Sequence, residues 1–403
     1  MNINSYIQNI VNGGKILFEK KVQNTHSGNI SILIENENLL ITKSGSMKGY
    51  LSENDIIKIR INDKDFKSKG SSTETGTHQG IYLIKKSGGI VHTHSLDSNI
   101  LSFVKKEIKP VDFFGKKYLR KLPVLKFDNP IGSYEMERRI PEYFKVYNSI
   151  IVKTHGIFSW GDDIYTALFN SLLSDFSSKI LLNLSDLGIN IDNIDLNYGF
   201  YDFICNQKHD RLIYKNIEDF NLISDILYKT DLSLFKTGSC GLIINNDIYY
   251  SYNISLPEYL EKPIFKVENI NGNLFLEILN YLKKHSDYKS LIFNTSVYSL
   301  IHGFLNLISG DEFIFPNDAE GKLLYPKIPV ILPDRDVSEL LKLLIKHKLV
   351  LIIGVGTISI DGDLRKAIHH NSSLENITKI NLSLIGLKKQ LNLEKSYEYS
   401  RLL

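Results

Sequence analysis

The sequence predicts an α/β protein made of two similar domains in tandem. Short apolar segments bounded by glycine turns alternate with amphipathic stretches, which is typical of strands alternating with helices. The length of 403 residues exceeds the usual size of one domain. The second half also repeats apolar segments of the first half in the same order. We therefore expect one domain over residues 1–205 and a second over residues 206–403.

Composition excludes several classes of protein. The 48 basic residues nearly balance the 45 acidic ones, so the net charge of +3 gives no case for nucleic-acid or membrane binding. No apolar stretch reaches the ~18 residues that a membrane span requires. The two cysteines, Cys205 and Cys240, favour a reducing compartment over a disulfide scaffold. We expect a cytoplasmic protein.

The elements of the first half follow from its apolar pattern. Residues 6–17 suit an amphipathic helix, which we expect to be interrupted at Gly13 and Gly14. Residues 28–34 predict the start of a strand, and we expect its hairpin partner to end near residues 41–45. Residues 70–74 start a helix that continues to residue 82. Residues 88–95 then predict a buried strand behind a Gly-Gly turn.

The second half repeats this pattern at an offset of about 201 to 206 residues. Residues 122–125 resemble 328–331, and residues 149–152 resemble 349–352. Residues 89–94 resemble 290–296, although the second copy lacks histidines. This alignment pairs His92 with Asn294, His94 with Ser296 and His155 with Gly356. The second domain is therefore predicted to be a degenerate copy without metal ligands.

The most informative segment is His92-Thr93-His94. Alternate residues of a strand share one face, so both imidazoles project together while Thr93 points away. Their Cα atoms would be about 7 Å apart at ~3.3 Å per residue, which lets both hold one cation. His155 is a candidate third ligand. For an isolated His-x-His pair, two polar histidines at a strand end are an equally good interpretation.

Four motifs occur in order along the first half: Gly28-Asn29-Ile30-Ser31, then Ser72-x-Glu74-x-x-x-His78, then His92-x-His94, then His155-Gly156. Each alone is weak, but the ordered set resembles the class II aldolase/adducin family, in particular its fuculose-phosphate-aldolase-like members. The resemblance implies a three-layer α/β/α domain with a mostly antiparallel central sheet, here duplicated in tandem. It covers residues 5–195 well and residues 220–385 weakly.

The resemblance also implies roles for individual residues. His92, His94 and His155 would hold a divalent metal, usually Zn²⁺, with other divalent ions left open. Glu74 would be the catalytic acid/base, although residues 71–74 also look like a helix cap with an acid in the first turn. The substrate phosphate would be bound by Asn29, Ser44, Gly45, Ser72 and Thr73. His78 is more typical of a core residue than of a fourth ligand.

The implied activity is that of a metal-dependent lyase that cleaves or forms a C–C bond in a phosphorylated sugar through a metal-stabilised enediolate. A ketose-phosphate dehydratase using the same metal and Glu74 is the first alternative, and an adducin-like binding or assembly protein is the second. The acid that would protonate the departing aldehyde is not evident from the sequence. Asp112, Tyr118 and Tyr134 are candidates by position alone. Family symmetry implies a homo-oligomer, with two tandem chains forming a pseudo-four-fold ring.

Overall fold

The computed structural model describes residues 2–35, 37–190, 211–212, 218–267 and 273–391, together with residues 192, 194, 196 and 198. The chain forms two compact units, Met1–Leu182 and Asn183–Leu403, named unit 1 and unit 2 below. Cys205 and the expected boundary between residues 205 and 206 lie outside the described residues. None of the helices in the described ranges is both long and apolar enough to cross a membrane.

Unit 1 is built on an eight-stranded sheet. Its strands are β1 (Asn29–Ile34), β2 (Asn38–Thr42), β3 (Ile56–Arg60), β4 (Gly89–Thr93), β5 (Glu107–Ile108), β6 (Leu122–Leu125), β7 (Ser149–Val152) and β8 (Gly156–Gly161). Its helices are α1 (Ile3–Glu19), α2 (Thr75–Lys85), α3 (Leu96–Val104), α4 (Tyr134–Tyr143) and α5 (Ile164–Asp186), the last of which ends just beyond the unit.

The strand order in this sheet is β3-β2-β1-β4-β8-β7-β6-β5. Every neighbouring pair is antiparallel except β6 and β7. Helices α2 and α4 pack on one face, in a core that includes Tyr82, Ile90 and Ile140. Helices α1 and α5 cover the other face, where Gly13 approaches Ile30 and Leu168. The predicted three-layer, mostly antiparallel α/β fold is confirmed.

Unit 2 contains β9 (Arg211–Leu212), α6 (Glu218–Lys229), β10 (Ser239–Ile244), β11 (Asp247–Tyr252), β12 (Phe265–Lys266), α7 (Leu274–His285), β13 (Ser290–Asn294), α8 (Val297–Ser309), β14 (Phe313–Ile314), α9 (Ala319–Leu324), β15 (Ile328–Ile331), α10 (Val337–His347), β16 (Leu349–Ile352), β17 (Gly356–Asp361) and α11 (Leu364–Leu391). Its sheet has the order β14-β15-β16-β17-β13-β10-β11-β12-β9. Read from the opposite edge, eight of these strands repeat the order of unit 1, and β15–β16 is again the parallel pair.

Two expectations about helices are wrong in detail. Helix α1 runs through Gly13 and Gly14 without a break. A Cβ at Gly14 would collide with the carbonyl oxygen of Lys48, so this glycine permits a close approach rather than ending the helix. Helix α2 begins at Thr75 rather than within residues 70–74, because the backbone N–H of Thr75 bonds to the carbonyl oxygen of Ser72 in a preceding turn.

Candidate metal centre

Two neighbouring segments of the sheet deliver the three histidines. His92 lies in β4, where it pairs with Asn29 of β1 on one side and with Phe158 of β8 on the other. His94 follows directly after this strand. His155 lies in the tight turn between β7 and β8, next to Thr154, whose φ of 64° is left-handed. The central strands of unit 1 therefore bring His155 next to two histidines that precede it by more than 60 residues in the sequence.

Helix α3 fixes the turn that carries His155. The Asn99 side chain donates to the carbonyl oxygen of His155 at 2.9 Å. The Thr154 backbone N–H donates to the hydroxyl oxygen of Ser102 at 3.0 Å. Since α3 starts immediately after the His92–His94 segment, one short helix positions both groups of histidines.

The three imidazoles converge through their Nε2 atoms. His92 Nε2 lies 2.9 Å from His155 Nε2 and 3.0 Å from His94 Nε2. Candidate ligand atoms of all three residues lie within 4.8 Å of one another, and they form a group that could hold a metal ion among the residues described. His92 Nδ1 lies 2.8 Å from the Ile157 carbonyl oxygen, to which it donates its proton. The Nε2 lone pair of this tautomer then faces the other two rings, which fits a divalent cation.

Burial keeps the imidazoles of His92 and His94 neutral. Desolvation lowers the pKa of His92 to about 4, against the opposing charge of Glu74. Desolvation, followed by the neighbouring charges of His92 and His155, lowers the pKa of His94 to about 3. A neutral imidazole has the free lone pair that metal coordination requires, so the site is ready to bind a metal at neutral pH.

Glu74 occupies the N-cap position of α2, but its side chain makes no capping hydrogen bond. Instead, Oε1 lies 3.2 Å from His155 Nε2 and Oε2 lies 3.3 Å from His92 Nε2. Asn29 donates to Oε2 at 2.7 Å. The equivalent helix of unit 2, α7, is capped by the side chain of Asn273, which accepts from the backbone of Leu276 at 3.2 Å. The geometry of Glu74 thus favours a role toward the histidines over a capping role.

Glu74 is ionised despite being only 3% exposed. Burial alone would raise the pKa of its carboxyl group. The positive charges that His92 and His155 can carry, with a hydrogen bond from Asn29, outweigh that effect and lower this pKa to about 2. The site therefore presents a buried carboxylate beside three imidazole nitrogens, an arrangement able to accept and return a proton.

Four of the five proposed phosphate-binding residues lie on adjoining loops, and the fifth, Asn29, begins β1. Asn29 donates to the Ser72 hydroxyl oxygen at 2.9 Å as well as to Glu74. The Ser44 backbone N–H donates to the Gly70 carbonyl oxygen at 3.1 Å, which ties the loop of Ser44 and Gly45 to the loop before α2. Ser44, Gly45 and Thr73 are exposed, whereas Asn29 and Ser72 are buried. Their role toward a phosphate stays a prediction.

A buried network behind the site was missed by the sequence analysis. The Ser31 hydroxyl lies 2.7 Å from His78 Nδ1 and 2.8 Å from the Tyr82 hydroxyl. His78 is fully buried and lies outside the group of possible metal ligands, as its place on the helix indicated. The signal was the spacing of His78 and Tyr82 on one face of α2, four residues apart, opposite a serine that points into the sheet face.

The three candidates for the acid that protonates the departing aldehyde differ in their surroundings. Asp112 is buried, and its carboxylate accepts from the Ser177 hydroxyl at 2.6 Å and from the Gly115 backbone at 2.8 Å. Burial raises the pKa of Asp112. Tyr134 is exposed and Tyr118 is half-buried. None of the three is among the residues that contact the histidines or Glu74 in the interactions described above.

The alignment of the two halves at these positions needs a correction of one residue. His92 pairs with Phe158 of β8, and Phe293 pairs with Ile358 at the same step of β17. The turn of His155, closed by an N–H bond to Val152, is matched by an N–H bond from Val355 to Ile352. The positions equivalent to His92, His94 and His155 are therefore Phe293, Thr295 and Val355, rather than Asn294, Ser296 and Gly356. A slip of one residue within an apolar strand leaves the hydrophobic pattern almost unchanged. The absence of ligands at these three positions holds in either alignment.

Unit 1 resembles known proteins in sequence. Residues 8–182 match the family described as Class II Aldolase and Adducin N-terminal domain. An L-fuculose phosphate aldolase from Methanococcus maripaludis is 30% identical over 190 residues, which cover 47% of this chain and 99% of that protein. A methylthioribulose-1-phosphate dehydratase from Sulfurihydrogenibium sp. is 28% identical over 194 residues, covering 44% of this chain and 89% of that protein.

Among solved structures, L-fuculose-1-phosphate aldolase from Thermus thermophilus aligns with a TM-score of 0.43 and 24% identity, covering 44% of this chain and 93% of that chain. The family match over residues 8–182 includes the three histidines and Glu74. Through this half of its length, the chain belongs to the class II aldolase/adducin family.

Proposed function

We propose that unit 1 is a metal-dependent lyase that cleaves, and in reverse forms, a C–C bond in a phosphorylated sugar. The observation that carries this proposal is the buried Glu74 carboxylate, held 3.2 and 3.3 Å from the Nε2 atoms of His155 and His92. A general base close to a cation site is what carbanion chemistry next to a carbonyl group requires. The relatives that act on sugar phosphates support the same class of reaction.

His92, His94 and His155 would hold the ion, for which we propose Zn²⁺. Three neutral imidazoles suit this borderline ion and leave coordination positions open. When bound, such an ion acts as a Lewis acid that stabilises negative charge developing on oxygen. The Ile157 carbonyl oxygen orients the His92 ring, and α3 holds the turn of His155.

Glu74 would move the proton at the reacting carbon. Its low pKa keeps the group deprotonated, the form that can take up a proton, and the Asn29 amide fixes one of its oxygens at 2.7 Å. Asn29 and Ser72, with Ser44, Gly45 and Thr73, would bind the phosphate through side-chain groups and backbone N–H groups before α2. The loops that carry these residues adjoin the carboxylate, as a small phosphorylated substrate requires.

Dehydration of a ketose phosphate is the second candidate. It would use the same metal and the same carboxylate, and the 28% identical dehydratase is the observation that favours it. The two reactions differ in the bond that breaks after the proton moves. Products therefore separate the candidates: an aldehyde and a three-carbon phosphate from cleavage, or a dehydrated ketose phosphate from elimination.

The deciding experiment measures metal content and product formation over a panel of ketose phosphates. The wild-type chain should hold one ion and cleave at least one substrate. His94→Ala should lose both, and Glu74→Gln should keep the ion while its rate falls by about 10²–10⁴-fold. His285→Ala, which removes an exposed histidine of α7, is the matched control and should change neither. A wild-type chain that binds no metal would overturn the proposal in favour of an adducin-like binding protein.

We also place this enzyme in the cytoplasm and as a dimer of two-unit chains, since its composition favours a reducing compartment and its two sheets share one strand order. Two such chains would present four similar domains in a pseudo-four-fold ring. A solution mass of two chains is the expected result, and a stable monomer at micromolar concentration would refute the dimer.

A further inference from the structure

Unit 2 contains a cavity of about 530 Å³ beside α9 and α11, near the end of β17. Its lining includes Asp318, Tyr325, Asp361, His370, Ser373 and Asn376. The positions equivalent to the metal ligands lie elsewhere, because the turn equivalent to that of His155 precedes β17 whereas Asp361 ends it. The cavity is thus not a remnant of a duplicated metal centre. Its size is in the range of small-molecule sites, which are about 300–1,000 Å³.

The same region of unit 1 is filled by apolar side chains. Helices α5 and α11 start alike: Asp163 accepts from the Thr166 backbone at 2.7 Å, and Asp363 accepts from the Lys366 backbone at 2.8 Å. This sets the equivalence of the two helices. The buried residues Phe169, Leu172, Leu173 and Phe176 then correspond to His369, Ser372, Ser373 and Asn376. Four apolar side chains have polar counterparts, and the residues that replace them line the cavity.

A hydrogen-bonded chain fixes the polar wall. The Tyr325 hydroxyl lies 2.5 Å from His370 Nδ1, and His370 Nε2 lies 2.9 Å from Asp361 Oδ2. Lys348 donates to the same Asp361 oxygen at 3.1 Å. Burial lowers the pKa of His370 and raises that of Tyr325, so both are uncharged at neutral pH. The imidazole then donates to Asp361, and the Tyr325 hydroxyl donates to the imidazole.

These proton positions determine which kind of ligand the polar wall can bind. The Tyr325 proton is used by His370, so its oxygen can only accept further hydrogen bonds, of which the Ser373 hydroxyl makes one and a ligand can make another. Asp318, Glu320 and Asp361 are acceptors only, and Lys366, the lysine of the lining, is paired with Asp363 at 3.3 Å. Carboxylates outnumber lysines in this lining, which disfavours a phosphate or carboxylate ligand. A partner rich in hydroxyl donors and without negative charge fits best.

We infer that the cavity of unit 2 is a binding site for an unphosphorylated, hydroxyl-rich small molecule, of the class of free sugars and polyols. The apolar sides of Leu324 and Ile377 supply surface for the C–H face of such a ligand, while the Tyr325 oxygen and the carboxylates of Asp318 and Glu320 accept its hydroxyl groups. The site is separate from the metal centre of unit 1 and does not depend on the reaction proposed there.

The test is calorimetric titration of the full-length chain with neutral pentoses, hexoses and polyols, with glycerol phosphate as the anionic probe. At least one neutral probe should bind, and glycerol phosphate should not compete with it. The variant His369→Phe/Ser373→Leu/Asn376→Phe places the unit 1 side chains in the cavity and should weaken binding by about tenfold or more. His94→Ala, altered in unit 1, should bind the neutral probe as the wild type does.

Tyr325→Phe keeps the outcome decisive if the triple variant does not fold. It removes one oxygen without changing the shape of the cavity, and it should weaken binding by roughly two- to tenfold. Three results would overturn the inference: no neutral probe binds, binding is unchanged in Tyr325→Phe, or binding is lost in His94→Ala. The last result would place the ligand in unit 1.

Discussion

The ammonium group of Lys48 is buried beside the loops that carry the candidate phosphate contacts. Its ammonium group donates to the carbonyl oxygen of Ser46 at 2.7 Å and to that of His26 at 3.3 Å. Its backbone N–H donates to the Thr25 carbonyl oxygen at 3.1 Å. One residue thus joins the loop that precedes β1 to the loop that follows β2. Burial lowers the pKa of Lys48 to about 8, against the charge of Asp55.

This lowered pKa predicts a pH-dependent stability. Between about pH 8 and pH 10.5, the unfolded chain keeps the Lys48 proton while the folded chain releases it. The unfolded state then binds more protons, so the free energy of unfolding gained from this residue rises with pH across that window. Urea unfolding should show wild type gaining about 2 kcal/mol relative to Lys48→Met between these pH values. A constant difference between the two proteins would contradict the assigned pKa.

The period of a β-strand alone predicts that the side chains of His92 and His94 share one face. The convergence of His155 and Glu74 was predictable only from the ordered motifs, since neither is near the other histidines in sequence. The Ser31–His78–Tyr82 network was predictable only in part, because helical spacing puts His78 and Tyr82 on one face but Ser31 meets them only when α2 packs on β1. The pairing of His92 with Asn294 failed for a similar reason, since register depends on backbone pairing that hydrophobicity does not report.

Helix α2, which carries Glu74 at its start, depends on close packing against α4. A Cβ at Gly80 would lie 2.6 Å from Pro141 Cγ and 3.1 Å from the Glu137 carbonyl oxygen. Pro141 lies inside α4, so the opposing surface is a rigid ring and a backbone group that cannot move aside easily. Glycine at this position lets the two helices approach, and the position of Glu74 follows from that approach.

Gly80→Ala should therefore destabilise the protein. Alanine ordinarily gains about 1 kcal/mol over glycine in a helix interior, but the collision with α4 should exceed this gain and leave a net loss of about 1–3 kcal/mol. Gly386→Ala in α11 is the matched control, because a Cβ there meets nothing within 4 Å. It should stabilise the protein by about 0.5–1 kcal/mol. If Gly80→Ala stabilised the protein as much as Gly386→Ala or more, close packing against α4 would be refuted as the reason for glycine at this position.

Elements were easier to predict than their ends. The strand at residues 149–152 and its counterpart at 349–352 occur with the predicted bounds, because continuous apolar runs flanked by polar residues leave little choice. The predicted interruption of α1 at Gly13 and Gly14 was wrong, because a glycine such as Gly14 can lie within a helix where another backbone segment passes close by. Whether a glycine marks a helix break or a close contact therefore depends on the residue that it contacts, which can be far away in the sequence.

For the whole molecule, the two units share a strand order but not their chemistry. Unit 1 holds three histidines and a carboxylate in its centre, while the equivalent positions in unit 2 are Phe293, Thr295 and Val355. Unit 2 instead carries polar groups on α11 where unit 1 is apolar. A shared strand order with different polar groups is what we expect if the reaction proposed for unit 1 and the ligand inferred for unit 2 belong to separate sites.

This division predicts that metal stabilises one unit only. All three proposed ligands belong to unit 1, so an ion at 100 times its dissociation constant should stabilise that unit by about 2.7 kcal/mol. Calorimetric unfolding should show two transitions, of which added Zn²⁺ raises one and a chelator lowers it again. In His94→Ala neither transition should respond. A neutral ligand of the unit 2 cavity should raise the other transition, in wild type and in His94→Ala alike. If Zn²⁺ raised both transitions equally, the two units would unfold as one cooperative body, and metal at the histidines would stabilise the entire chain.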